Sequence, residues 1–128
     1  MNLLQMPSSS PHRYSDGRLE IDYDRAAVCL DGARLVMTRK EFELLSFLTR
    51  NAGEIVPRAV LLMQVWGYGA GIRTRTLDVH IRRLRKKLAA ISDRYIETIF
   101  GVGYRFQPFR EPAPVHRYAQ SPAVAARA

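Results

Sequence analysis

Apolar residues recur at Leu77, Ile81, Leu84 and Leu88 in a stretch otherwise crowded with charge. At roughly 100° per residue these four share one narrow wedge of a helix, while Arg75, Val79, Arg82 and Lys86, flanked by Arg83 and Asp78, lie opposite. The pattern predicts a helix over residues 74–88 that docks by its leucine side and leaves a cationic side open to a ligand. Elsewhere the period falls to two. Leu19-Glu-Ile-Asp-Tyr23 alternates as a half-buried strand does, and Ala27-Val-Cys-Leu30, Asp31-Gly32 and Arg34-Leu-Val-Met37 predict a hairpin with a tight turn.

Thr38-Arg-Lys-Glu41 has the spacing of a capping box, with Met37 and Phe42 placed as a hydrophobic staple. Phe42, Leu44, Leu45, Phe47 and Leu48 then supply a wide buried face, and Asn51-Ala-Gly53 ends this first helix. Glu54-Ile-Val-Pro57 is a short extended piece. A second, apolar helix runs from Arg58 to Trp66, with Pro57 suiting its start, and Gly67-Tyr-Gly-Ala-Gly71 breaks it. Ile96-Glu-Thr-Ile-Phe100, Gly101-Val-Gly103 and Tyr104-Arg-Phe106 form a two-stranded ribbon with a glycine-rich tip. Two helices joined by an irregular turn, the second with an exposed basic face and a ribbon beside it, predict an α+β winged helix-turn-helix: N-terminal antiparallel sheet, three helices, C-terminal β-hairpin wing. Residues 1–17 are expected to be a flexible N-terminal segment, 18–107 the folded domain and 108–128 a disordered, proline- and alanine-rich tail.

Charge sharpens the picture. Residues 73–88 hold seven Arg and Lys against one acid, Asp78, and so carry +6 of the chain's net +8. Residues 1–36 hold four Arg against five Asp and Glu. A cationic ridge concentrated on one helix is the electrostatic footprint of a phosphate-backbone binder.

Other classes find little support. The longest apolar run is far short of the roughly 18 residues of a membrane span, and Met1 to Met6 do not resemble a secretory signal, so a cytoplasmic protein without membrane contact is expected. Cys29 is the only cysteine and sits in an apolar run. His12, His80 and His116 are far apart and lack cysteine partners, so no metal is expected. No carboxylate pair, phosphate loop or nucleophile with a nearby base is legible; neither an enzyme nor a cofactor is expected.

Four separated stretches, Leu35-Val-Met-Thr-Arg-Lys-Glu-Phe-Glu-Leu-Leu45, Val65-Trp-Gly67, Arg75-Thr-Leu-Asp-Val-His-Ile-Arg-Arg-Leu-Arg-Lys-Lys-Leu88 and Gly101-Val-Gly-Tyr-Arg-Phe106, resemble the OmpR/PhoB family of winged-helix response-regulator effector domains. The resemblance is collinear over about residues 18–107. It implies a four-stranded N-terminal sheet, three helices and a C-terminal hairpin, in a sequence-specific, double-stranded DNA-binding transcription regulator of a two-component phosphorelay. The recognition helix 74–88 would lie in the major groove and the wing 96–106 on the adjacent backbone or minor groove.

The resemblance also implies roles. Asp78, Val79 and Arg83 would face base edges, Arg83 as donor to guanine and Val79 against a thymine methyl. Trp66, Arg75, Thr76, His80, Arg82, Arg85, Thr98 and Tyr104 would contact phosphates. Alternatives stand beside three of these: His80 as a partly buried helix residue, Asp78 as a residue orienting Arg82 or Arg75, and Trp66 as a core aromatic showing one edge. Family members commonly bind direct repeats as head-to-tail pairs, and the 67–72 loop corresponds to a segment through which several contact RNA polymerase. The chain departs from the pattern in three ways. Phe100 stands where an Arg is usual, so the wing should read the minor groove more weakly, with Arg105 a partial substitute; Pro57 replaces a Ser or Thr cap; and residues 1–17 cannot supply a receiver domain, leaving an excised effector domain or a stand-alone regulator. The competing reading is a winged-helix protein-interaction module that has lost DNA binding, against which Arg75, Arg82 and Arg83 all remain.

Overall fold

In the computed structural model, which describes residues 8–88 and 95–110, the period-two segments build one antiparallel sheet. Its strands β1 (Ser8–Ser9), β2 (Arg13–Ser15), β3 (Leu19–Asp22), β4 (Ala27–Leu30) and β5 (Ala33–Leu35) lie in sequence order. Register puts Tyr14 opposite Ile21, Ile21 opposite Val28 and Val28 opposite Leu35, a cross-strand row that faces the helices. The turn from β4 to β5 holds Asp31 at φ 52° and Gly32 at φ 82°. Two successive positive φ values define the mirror-image turn whose twist matches that of paired strands, which is why Asp-Gly stands there. The Arg18 guanidinium fastens the turn with two bonds of 2.8 Å to the Asp31 carboxylate.

The sheet begins earlier than the sequence suggests. Residues 8–17, expected as a flexible lead-in, supply β1 and β2, so the implied four-stranded sheet has five strands. Tyr14 is the cause: it is fully buried, edge-on to Phe106 with centroids 5.7 Å apart, and its hydroxyl donates to Asp16 over 2.8 Å. Burial, reinforced by the charge of Asp16, holds that phenol far above its ordinary pKa. The buried Asp16 carboxylate also accepts from the amides of Leu19 (2.8 Å) and Phe109 (2.9 Å). The ring of Phe109 lies under the Arg18 guanidinium at 5.0 Å. Residues 108–110, expected in the tail, are therefore joined to the sheet at Phe109. Residues 1–7 and 111–128 of the two expected flexible ends lie outside the described residues.

Helix α1 (Arg39–Arg50) starts with the expected capping box: the Glu41 amide donates to Thr38 Oγ1 (3.2 Å) and the Thr38 amide to Glu41 Oε1 (2.9 Å). Leu44, Leu45 and Leu48 fill the core beneath the sheet. Helix α2 (Arg58–Leu61) continues as a π-helical stretch, Leu62–Trp66. Pro57 offers it no side-chain cap; instead the Arg58 amide donates to the carbonyl of Val102 at 3.1 Å, so the hairpin tip caps the helix. Helix α3 (Thr76–Leu88) follows, its Thr76 amide held by Thr74 Oγ1 at 3.1 Å. Leu77, Ile81, Leu84 and Leu88 are all buried, as their spacing predicts.

Strands β7 (Ile96–Ile99) and β8 (Gly103–Phe106) form the hairpin, and the extended piece β6 (Ile55–Pro57) pairs with β8, giving a three-stranded sheet in the order β6-β8-β7. Gly103 is required by that pairing: a Cβ there would stand 2.0 Å from the Val56 carbonyl oxygen. One hydrophobic cluster, from Tyr14 through Leu48, Leu61 and Leu84 to Phe106, unites both sheets and the helices. Among the described residues no helix is long and apolar enough to cross a membrane.

Candidate nucleic-acid interface

With its leucine side buried, α3 presents Asp78, Val79, Arg82, Arg83 and Lys86 to solvent, with Arg73 and Arg75 in the lead-in to the helix. Among the described residues the side chains of Arg73, Arg75, Arg82, Arg83 and Lys86 make no hydrogen bond or ion pair. The ridge of +6 therefore divides. These five cations remain open, and the other two, Arg85 and Lys87, turn inward.

Lys87 reaches back to α1. Its Nζ donates to the carbonyl of Val36 (2.7 Å) and to the Glu41 carboxylate, which is almost fully buried. Burial pushes the Glu41 carboxyl up, but the Lys87 bond, the Thr38 amide and the nearby charges of Lys87 and Arg83 outweigh it and hold the group below its ordinary value. The capping glutamate of α1 is thus also the anchor of α3.

Arg85, expected at a phosphate, is instead committed to the wing. Its Nε and Nη2 donate to the Ile96 carbonyl at 3.1 and 2.9 Å, and Nη2 also donates to Thr98 Oγ1 at 2.6 Å. The guanidinium lies 5.7 Å from the centroid of the Tyr104 ring. Thr98, a second expected phosphate contact, accepts this bond. Tyr104, a third, is buried, with its hydroxyl donating to Asp78 Oδ1 at 2.7 Å.

Asp78, expected at a base edge, carries a further partner, since the Arg58 guanidinium of α2 closes on the same Oδ1. Neither Arg75 nor Arg82 bonds to it. The Arg58 hydrogen bond, then that of Tyr104, overcome partial burial and depress the Asp78 carboxyl below its usual range. Arg58 escaped the sequence reading, although a signal was present: a cation in the first turn of a helix opposes the helix dipole and calls for an acidic neighbour.

His80 and Trp66 are half-buried and meet edge to face, ring centroids 5.0 Å apart, at the seam between α2 and α3. The His80 Nδ1 lies 2.8 Å from the Thr76 carbonyl, which leaves Nε2 as the outward nitrogen. Thr76 sits in the first turn of α3. On the wing, Arg105 is paired with Glu97 at 2.8 Å and is not an open substitute for the missing arginine. Phe100 stands at the tip, 91% exposed.

The sequence profile of the family described as "Transcriptional regulatory protein, C terminal" matches residues 32–106. The chain belongs to this family. It is 41% identical over 92 residues to the transcriptional regulatory protein ResD of Bacillus subtilis, a match covering 70% of this chain and 38% of ResD. Among solved structures, the RstA DNA-binding domain of Klebsiella pneumoniae, in complex with the RstA box, superposes with a TM-score of 0.70 at 35% identity, covering 76% of this chain and 98% of that one. The Thermotoga maritima response regulator DrrB, an OmpR/PhoB homologue, gives a TM-score of 0.67 at 41% identity, over 75% of this chain and 44% of DrrB. The chain thus spans less than half the length of ResD or DrrB. Sheet, three helices and hairpin wing are the winged-helix fold of these effector domains.

Proposed function

We propose that this domain is a sequence-specific double-stranded DNA-binding transcriptional regulator that acts in the cytoplasm at the output end of a two-component phosphorelay. The observation that carries the reading is the division of α3: one side wholly buried, the other carrying Val79 and an open arginine face, on a helix of the diameter that a major groove admits. The RstA domain, similar over nearly its whole length, is named as a complex with its DNA box.

Roles follow from what is open. Arg83 and Val79 read base edges, with the free Oδ2 of Asp78 beside them. Arg75, Arg82, Thr76 and the outward edge of Trp66 hold phosphates, and His80 joins them as an imidazolium, with Nδ1 donating to the Thr76 carbonyl and Nε2 to the phosphate. Arg85, Thr98 and Tyr104 position the wing through the internal bonds described above. Two domains sit head to tail on direct repeats, and the 67–72 loop, with Tyr68 and Ile72 exposed, is a surface for RNA polymerase.

Titrating binding against salt on a duplex selected from a random pool tests this. With Arg83 on a base, the other four open cations predict that log affinity falls against log salt with a slope of about −4, and that Arg75→Ala or Arg82→Ala each lower its magnitude by about one unit without altering preference. A slope near zero contradicts the proposal.

A further inference from the structure

We infer that Phe100 is an apolar wedge, which the wing sets against the minor groove beside the site read by α3, unstacking one base step there. This rests on the DNA-binding reading above. The hairpin tip, Ile99 to Val102, contains no side chain able to donate or accept a hydrogen bond, and the adjacent Arg105 is paired with Glu97. Such a tip has no side chain with which to grip phosphates and could offer them only backbone amides. On a duplex its apolar side chains are matched by sugars and base faces, which are what an exposed aromatic ring suits.

The tip is also held rigidly. The Val102 amide donates to the Ile99 carbonyl at 2.9 Å, and the Val102 carbonyl accepts from the Arg58 amide at 3.1 Å. At the base of the hairpin Arg85 binds Ile96 and Thr98, and Tyr104 binds Asp78. The backbone that carries the ring therefore stands at a fixed offset from α3. With α3 in the major groove, an arm beside it meets the flanking backbone and the minor groove behind it. A second copy of the chain is a poorer occupant, since one ring at a narrow tip is far from the roughly 800 Å² per partner of a stable protein interface. Pyrimidine–purine steps unstack most readily, so the wedge favours TA or CA in the flank.

The test uses the selected duplex with 2-aminopurine placed in turn at each flanking step, together with the wild-type chain, Phe100→Ala and Phe100→Trp. The wild type is expected to raise the fluorescence at one step. Phe100→Ala should abolish that rise and weaken binding about tenfold with an unchanged salt slope, while Phe100→Trp keeps both properties. Equal thermal midpoints, expected for so exposed a ring, separate this from misfolding. Unchanged affinity and fluorescence in Phe100→Ala would overturn the wedge, as would a loss confined to two-site duplexes, which marks a contact between copies. A wild type that selects no duplex sinks the DNA-binding reading and the wedge with it; one that selects a site without a fluorescence rise sinks the wedge alone.

Discussion

The Tyr104 hydroxyl donates to Asp78 Oδ1 over 2.7 Å, and the Arg58 guanidinium shares that oxygen. One carboxylate on α3 thereby ties the start of α2 to the central strand of the wing sheet. Asp78→Ala should cut these ties and leave Arg58 unpaired in the first turn of α2. The Arg58–Asp78 pair is half exposed, so the expected loss is modest, about 1 kcal/mol after solvent screening, or a few degrees in Tm. Amide exchange in β7 and β8 should rise more than in β3 and β4. Equal exchange in wild type and variant would contradict the tie.

The same carboxylate gives a pH dependence. Its pKa is depressed in the fold, chiefly by the Arg58 hydrogen bond. Its stabilisation is therefore complete above the unfolded value, about 3.9, and is lost as pH falls through the lower folded value. Comparing acid unfolding of wild type and Asp78→Asn checks the sign: the difference in stability between them should shrink as pH falls below about 4.

Arg85 and Arg82 are three residues apart and should behave differently. Arg82→Ala removes an open cation, so it should lower the salt slope by about one unit and leave the unfolding midpoint unchanged. Arg85→Ala removes three bonds to β7, so it should lower stability by about 2 kcal/mol and loosen the wing. Denaturant unfolding and salt titration on both variants provide the comparison.

Much of this was legible locally. The capping box at Thr38 and Glu41, the Asp31-Gly32 turn and the buried stripe Leu77, Ile81, Leu84 and Leu88 each depend on neighbours within a few residues, and the structure holds all three. What escaped was non-local. Tyr14 is a single apolar residue among polar ones, and its strand exists because Phe106 and Asp16 receive it. A helical wheel gives the angle at which Arg85 leaves the helix but not that β7 waits there. Asp78 likewise meets partners 20 and 26 residues away in the chain.

Glu41 serves two elements at once, so its replacement should be costly. Glu41→Ala removes the reciprocal half of the capping box and leaves the Lys87 ammonium with the Val36 carbonyl but no anion, for an expected loss of about 2 kcal/mol. Thr38→Ala, which removes only the other half of the box, should cost about 1 kcal/mol. Equal losses in chemical denaturation would contradict the link between α1 and α3.

Gly103→Ala should fail for a steric reason. The added Cβ collides with the Val56 carbonyl across the β6–β8 pairing, and neither backbone can move without breaking the ladder. A destabilisation of about 3 kcal/mol is expected, against a few tenths for Ala at the open Gly69. Thermal unfolding of the two variants distinguishes them.

The central claim is that the open side of α3 reads base edges, and paired selection from a random duplex pool tests it most directly. Wild type should enrich one motif, and Arg83→Ala should enrich the same motif with preference relaxed at a single base pair, at a cost of about 1 to 3 kcal/mol in binding. An identical motif and affinity from both proteins, or no motif from the wild type, would contradict the account.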